Sequence, residues 1–201
     1  EDQFPQDVLE FLQYFKDPAP HQRIVATPDQ STHGPVWLVG SSLFSAQLAA
    51  KLGLPYSFAS HFAPRMLDQA IKLYRENFEP SEYLDRPYVS MGIPTVVAQT
   101  DEEAEYLATS AYQRVLGLMR GQSLKLKAPV ETMEGIWSPA EKMSVDNFYA
   151  MGQVGSAETV KAGLEKLLEK YNVDEFIFTC DIYDTDKRIQ NFELLMDIKN
   201  S

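Results

Sequence analysis

Three places in the sequence hold residues whose types and spacing could do chemistry. The first is Gly40-Ser41-Ser42-Leu43-Phe44-Ser45, a small-residue turn between an apolar run and an amphipathic stretch. Ser42 and Ser45 stand three apart, so on a helix both hydroxyls reach the first turn, where N–H groups lack helical acceptors and the dipole is positive. Such a mouth binds an anion, a phosphate above all, without any basic residue. Gly40 and Ser41 let the chain turn tightly and approach a ligand. The same serines also suit a helix N-cap and its hydrogen-bonded neighbour, and the residues alone leave both readings open. A serine nucleophile fits less well, because Phe44 stands where the G-x-S-x-G elbow needs glycine.

The second place is His61, directly after Tyr56-Ser57-Phe58-Ala59-Ser60. An imidazole at a strand exit can move a proton near neutral pH, or simply close the strand end with backbone hydrogen bonds. The third is Thr179 to Asp184, where Asp181 and Asp184 suit either acid chemistry or helix capping. Cys180, the only cysteine, ends an apolar run and reads as a core thiol. One cysteine forbids an internal disulfide, and three scattered histidines form no metal-binding spacing.

The elements that must position these residues alternate in type. Val8 to Phe15 forms an apolar helical face (Val8, Leu9, Phe11, Leu12, Phe15), and a polar loop runs from Asp17 to Gly34. Pro35–Val39 reads as a buried strand, too apolar for an edge, and Leu43–Leu52 as a helix closed by Gly53. Tyr56–Ser60 is a second strand; Pro64 opens a helix whose apolar face is Leu67, Ala70, Ile71, Tyr74 and Phe78. Tyr88–Ala98 is a third strand, bent or interrupted at Gly92 and Pro94. Thr100 and Glu103 form a capping box for a long helix to about Met119. Residues 121–155 lack periodicity and read as an insertion with one short helix near Ala140. Ser156 caps the next helix, Glu175–Cys180 is a fourth strand, and Thr185 caps a last helix carrying Ile189, Phe192 and Met196 inward. Strand–helix alternation with apolar strands means an α/β class with a parallel sheet.

Composition sets limits on partners. The 201 residues carry a formal charge of −11, which disfavours nucleic acid and anionic membrane surfaces. No apolar run is long enough for a bilayer span. The single cysteine and the lack of a secretory signal fit a reducing, cytoplasmic setting.

Trp37 to Phe62 (WLVGSSLFSAQLAAKLGLPYSFASHF) resembles the fifth-to-sixth-strand segment of the luciferase-like flavin-dependent monooxygenases, the bacterial luciferase superfamily. VAQTDEEAEYLA (97–108) resembles that family's seventh-strand exit, and VGSAETVKAGLEKLLEKYNVDEFIFTCDIYD (154–184) its last helix-to-strand unit. The resemblance implies a (β/α)8 TIM-barrel type fold, with 1–201 as the C-terminal portion of one barrel domain supplying about its last four strands and 121–155 inserted within it. It implies FMN as cofactor, its phosphate on Ser41, Ser42 and Ser45, where the family's first position can be acidic and its last threonine. His61 then sits at the active face as the catalytic candidate, beside the flavin ring. The implied activity is monooxygenation of a small organic substrate with reduced FMN, supplied by a reductase, and O2. It would be complete only with an N-terminal half, from a longer polypeptide, a cleaved chain or a second copy, and the protein would be a homo-oligomer. Deazaflavin (F420) hydride transfer on the same barrel is the alternative, and a non-catalytic flavin- or phosphate-binding remnant is the rival of another class. The starting residue, Glu1, and the count of four strands support the expectation of a fragment.

Overall fold

A computed structural model describes residues 3–28 and 30–200. Helix α1 (Phe4–Gln13) leads through a long loop to β1 (Leu38–Gly40), α2 (Leu43–Leu52) and β2 (Tyr56–Phe58). A 3-10 turn (Pro64–Met66) precedes α3 (Leu67–Glu76), β3 (Val89–Ala98) and α4 (Asp101–Met119). The chain closes with α5 (Pro139–Phe148), β4 (Gln153–Ser156), α6 (Ala157–Tyr171), β5 (Glu175–Thr179) and α7 (Thr185–Asn200). This is a mixed α/β fold whose strands all pair in parallel.

Strand β3 is the hub. Its first half pairs with β2 and with β5, and its last four residues carry β4. The strand runs through Gly92 and Pro94 without the interruption that those residues allowed. Pro94 faces Thr179, the last residue of β5, and pairing with β4 begins at Thr95. A residue without an N–H is tolerated there because the strand is changing partners.

The register sorts side chains onto two faces. Leu38, Tyr56 and Val89 share one face with Phe58, Met91 and Phe176. That face carries the main core, covered by α1, α2, α3, α6 and α7 through Val8, Ala46, Leu67, Tyr74, Val160 and Leu195. The other face holds Val39, Ser57, Ser90, Gly92 and Ile177, and it is small and partly open. Val39 is 66% and Ile177 47% exposed.

Several sequence expectations change here. The first strand starts at Leu38 rather than Pro35, and among the described residues it pairs on one side only, so its apolar character does not mean a buried interior strand. A fifth strand, β4, begins inside the stretch read as an insertion and runs one residue past it; with only Gln153–Ser156 it is too short to show an alternation. The short helix expected near Ala140 is α5. In α1, Val8 and Leu12 are buried while Leu9 and Phe11 are exposed. The largest difference is in α7. Its expected inward residues Ile189, Phe192 and Met196 are exposed, and Asn191 and Leu195 are buried instead. Asn191 accepts a 2.7 Å hydrogen bond from the Val97 N–H of β3. That bond turns the polar position inward and rotates the apolar stripe out. No helix among the described residues is long and apolar enough to cross a membrane.

Candidate active site at the strand ends

β1 hands over to α2 through Gly40, Ser41 and Ser42. Ser42 is the N-cap: its backbone is extended, and its Oγ accepts from the Ser45 N–H at 3.3 Å. Ser45 is buried, and its hydroxyl donates to the Ser42 carbonyl at 2.8 Å and lies 3.2 Å from the Tyr56 hydroxyl. The two serines therefore meet, as their spacing predicts, but Ser45 faces inward as a brace while Ser42 stays exposed and Ser41 half-exposed. The glycine serves this brace. A Cβ on Gly40 would lie 2.2 Å from Ser45 Oγ, so the close approach that requires glycine is to Ser45.

The mouth of α2 differs electrostatically from the other strand-end helices. Its first turn holds no acidic residue. The α6 N-terminus is already occupied, because Asp101 accepts from the Ser156 N–H at 2.6 Å. The α4 first turn carries Asp101, Glu102 and Glu103. The α7 first turn carries Asp186, and Asp184 accepts from the Lys187 N–H at 2.9 Å. Asp184 thus does the capping expected of Thr185. Each of those helix mouths is met by a carboxylate of the chain, from its own first turn or, at α6, from α4 as well. Helix α2 has no carboxylate in its first turn to meet its positive end.

His61 leaves β2 at the same end of the sheet, since Gly40 and Phe58 are register partners. Its ring lies over Gly92 of β3, whose hypothetical Cβ would be 3.5 Å from Nδ1. Nδ1 is buried and has no hydrogen-bond partner among the described residues. Burial, with a smaller push from Arg114, holds the imidazole pKa below its ordinary value against a partial pull from Asp181. A neutral imidazole follows, whose buried Nδ1 is left without a partner among the described residues. Phe62 packs on it at 4.2 Å between ring centroids and Phe148 at 6.5 Å. The backbone closure expected as its alternative role is made instead by Ser60, whose hydroxyl donates to the Gly92 carbonyl at 2.5 Å.

Beyond β5 the structure adds residues that sequence reasoning left out. Arg114 of α4 donates from Nε to Asp181 Oδ2 at 2.9 Å, and a second donation from the same guanidinium makes the pair two-pronged. Asp181 is thereby a partner for arginine and not a helix cap. Ser57 and Ser90 hydroxyls meet at 3.3 Å on the open face. The alternation in Tyr56-Ser57-Phe58 and Val89-Ser90-Met91 is the signal that could have found them. Burial pushes the Cys180 thiol up to about 11, which leaves it protonated and inert.

Comparison with known proteins gives this geometry a family. Residues 10–175 match the luciferase-like monooxygenase family. A luciferase-like monooxygenase of Escherichia coli is 45% identical over 98% of this chain and 59% of its own length. Among solved structures, apo-MsnO8 superposes with a TM-score of 0.81 at 22% identity, over 100% of this chain and 60% of that one. The oxygenating constituent of 3,6-diketocamphane monooxygenase from Pseudomonas putida, in complex with FMN, matches at TM-score 0.58 and 17% identity, over 89% and 52%. A coenzyme F420-dependent tetrahydromethanopterin reductase from Methanopyrus kandleri matches at 0.55 and 14%, over 94% and 59%. The chain thus spans about three-fifths of the length of the curated relative. A match over most of its residues, together with a relative at this identity, means that the chain belongs to the luciferase-like monooxygenase family.

Proposed function

We propose that this chain is the flavin-phosphate side of a luciferase-like monooxygenase that uses FMN. The observation that carries the reading is the N-terminus of α2. In a member of this family, it is a strand-end helix mouth with two serines and no carboxylate of its own. The exposed Ser42 hydroxyl, Ser41 and the unpaired first-turn N–H groups would hold the phosphate. Ser45 would take part from behind, fixing Ser42 through its hydroxyl and its N–H. The residues fit such a group, because nothing anionic competes for the turn.

Reduced flavin bound there would supply the activation of O2. The chain's own part is positional. His61 stands beside the open face of the sheet with a neutral ring whose Nδ1 has no partner among the described residues, a group suited to accepting or donating one proton. Phe62 and Phe148 pack their rings against it.

The barrel of this reading has the chain as its C-terminal portion, the segment from 121 up to β4 as an excursion from it, and the remaining strands from the portion of the relatives that the chain does not span. Val39 and Ile177 on the open face are the side chains such strands would cover. Small organic substrate, O2, a reductase and a homo-oligomeric assembly belong to the same proposal, as does a cytoplasmic setting. The test is titration of the protein with FMN and with F420. Saturable FMN binding, followed by O2-dependent oxidation of reduced FMN, is expected. Tight F420 binding without FMN binding would turn the assignment to hydride transfer, and binding of neither would sink it.

A further inference from the structure

A second concave site lies outside the strand-end cluster, between the outer face of α4 and the segment leading into α5. It is a cavity of about 520 Å3, within the range of small-molecule sites. Helical spacing brings Glu102, Glu105, Thr109 and Tyr112 to one wall, and Glu131 and Trp137 form the other. The Tyr112 and Trp137 rings stand 6.0 Å apart, tilted by 35°. Among the described residues no ion pair engages Glu102, Glu105 or Glu131; Glu105 only accepts a long 3.5 Å hydrogen bond from the Tyr112 hydroxyl.

The chain itself shows which chemistry suits this wall. Lys142 of α5 lays its ammonium 5.8 Å from the centre of the Trp137 ring and pairs with Asp146 at 2.6 Å. A primary ammonium between an indole face and a carboxylate is already the local solution, by cation–π attraction and charge pairing together. The cavity beside it repeats the same elements with unpaired carboxylates. Its formal charge, with Glu102, Glu105, Glu131 and Asp146 against Lys142, is −3.

We propose that this cavity is a binding site for a small organic ammonium ion with an aromatic body. The ring lies against Tyr112 and Trp137 and the cation faces Glu105 and Glu131. Lys142 is an internal competitor for the same aromatic face. The cavity wall is also continuous with the strand-end cluster, since Tyr112 packs edge-on to Tyr149 at 5.3 Å and Tyr149 lies against Phe148. The proposal stands independently of the flavin reading.

The experiment is calorimetric titration of the whole chain with phenethylammonium, and with 2-phenylethanol as its uncharged counterpart. Saturable binding of the ammonium is expected, with the alcohol at least about tenfold weaker, a difference of about 1.4 kcal/mol. Glu105→Gln combined with Glu131→Gln should weaken the ammonium by about tenfold. Lys142→Met should tighten it several-fold, because the competitor is gone. Each variant is exposed on the surface, and its far-ultraviolet circular dichroism should match the parent. Absence of saturable binding, equal affinity for the alcohol, or an unchanged or weaker affinity in Lys142→Met would overturn the proposal.

Discussion

At Gly40 the chain has no room for a methyl group, because Ser45 fills the space a Cβ would take. Gly40→Ala should therefore destabilise by about 1–3 kcal/mol, the usual cost of forcing atoms into a packed site. Adding Ser45→Gly should recover part of the loss, so that the double variant costs less than the sum of the two single ones. Denaturant unfolding of the three variants checks this; strict additivity would show that the two residues do not collide. His61 gives a pH signature. Its folded pKa is below that of an ordinary histidine, so above about 6.5 the group is neutral in both states and contributes nothing. As pH falls through that value the unfolded chain takes the proton first, and stability is lost. The charges facing it, Arg114 from α4 and Asp181 after β5, are themselves paired. His61→Gln should flatten the difference in stability between pH 7 and pH about 5.5, measured against the parent; equal slopes would place the titration elsewhere.

Helices and strands show what a sequence carries and what it does not. The mouth of α2 was legible because a cap, a small-residue turn and a C-terminal glycine are local signals, and Gly53 indeed closes the helix at φ +60°. Likewise Thr100 and Ser156 cap α4 and α6. The orientation of α7 was not legible. Apolar periodicity favoured Ile189, Phe192 and Met196 as the inward side, yet one long-range bond from Asn191 to the Val97 N–H decides the rotation. The Arg114–Asp181 pair was hidden for the same reason, since its members stand 67 residues apart. Asn191→Leu leaves the buried Val97 N–H without an acceptor and should cost about 1–3 kcal/mol despite the apolar gain. Equilibrium unfolding tests it, and a stabilised variant would show that the stripe, not the bond, sets the rotation.

For the whole molecule, the α/β class and parallel sheet were readable from the alternation of apolar strands and amphipathic helices. The count of strands was not, because β4 is only four residues long and sits among glycines. The sheet presents a helix-covered face and an open one, and the open face collects Ser57, Ser90, Gly92, His61 and the exposed Val39 and Ile177. That division places the open face and the α2 mouth at one end, where two adjacent strands finish together. The central claim is that the first turn of α2 receives a flavin phosphate. Its most direct test is amide NMR of the chain titrated with FMN and, separately, with riboflavin, which lacks the phosphate. The account predicts that the Leu43, Phe44 and Ser45 amide resonances shift with FMN and hold still with riboflavin. Equal shifts with both ligands, or shifts confined to other helices, would contradict it.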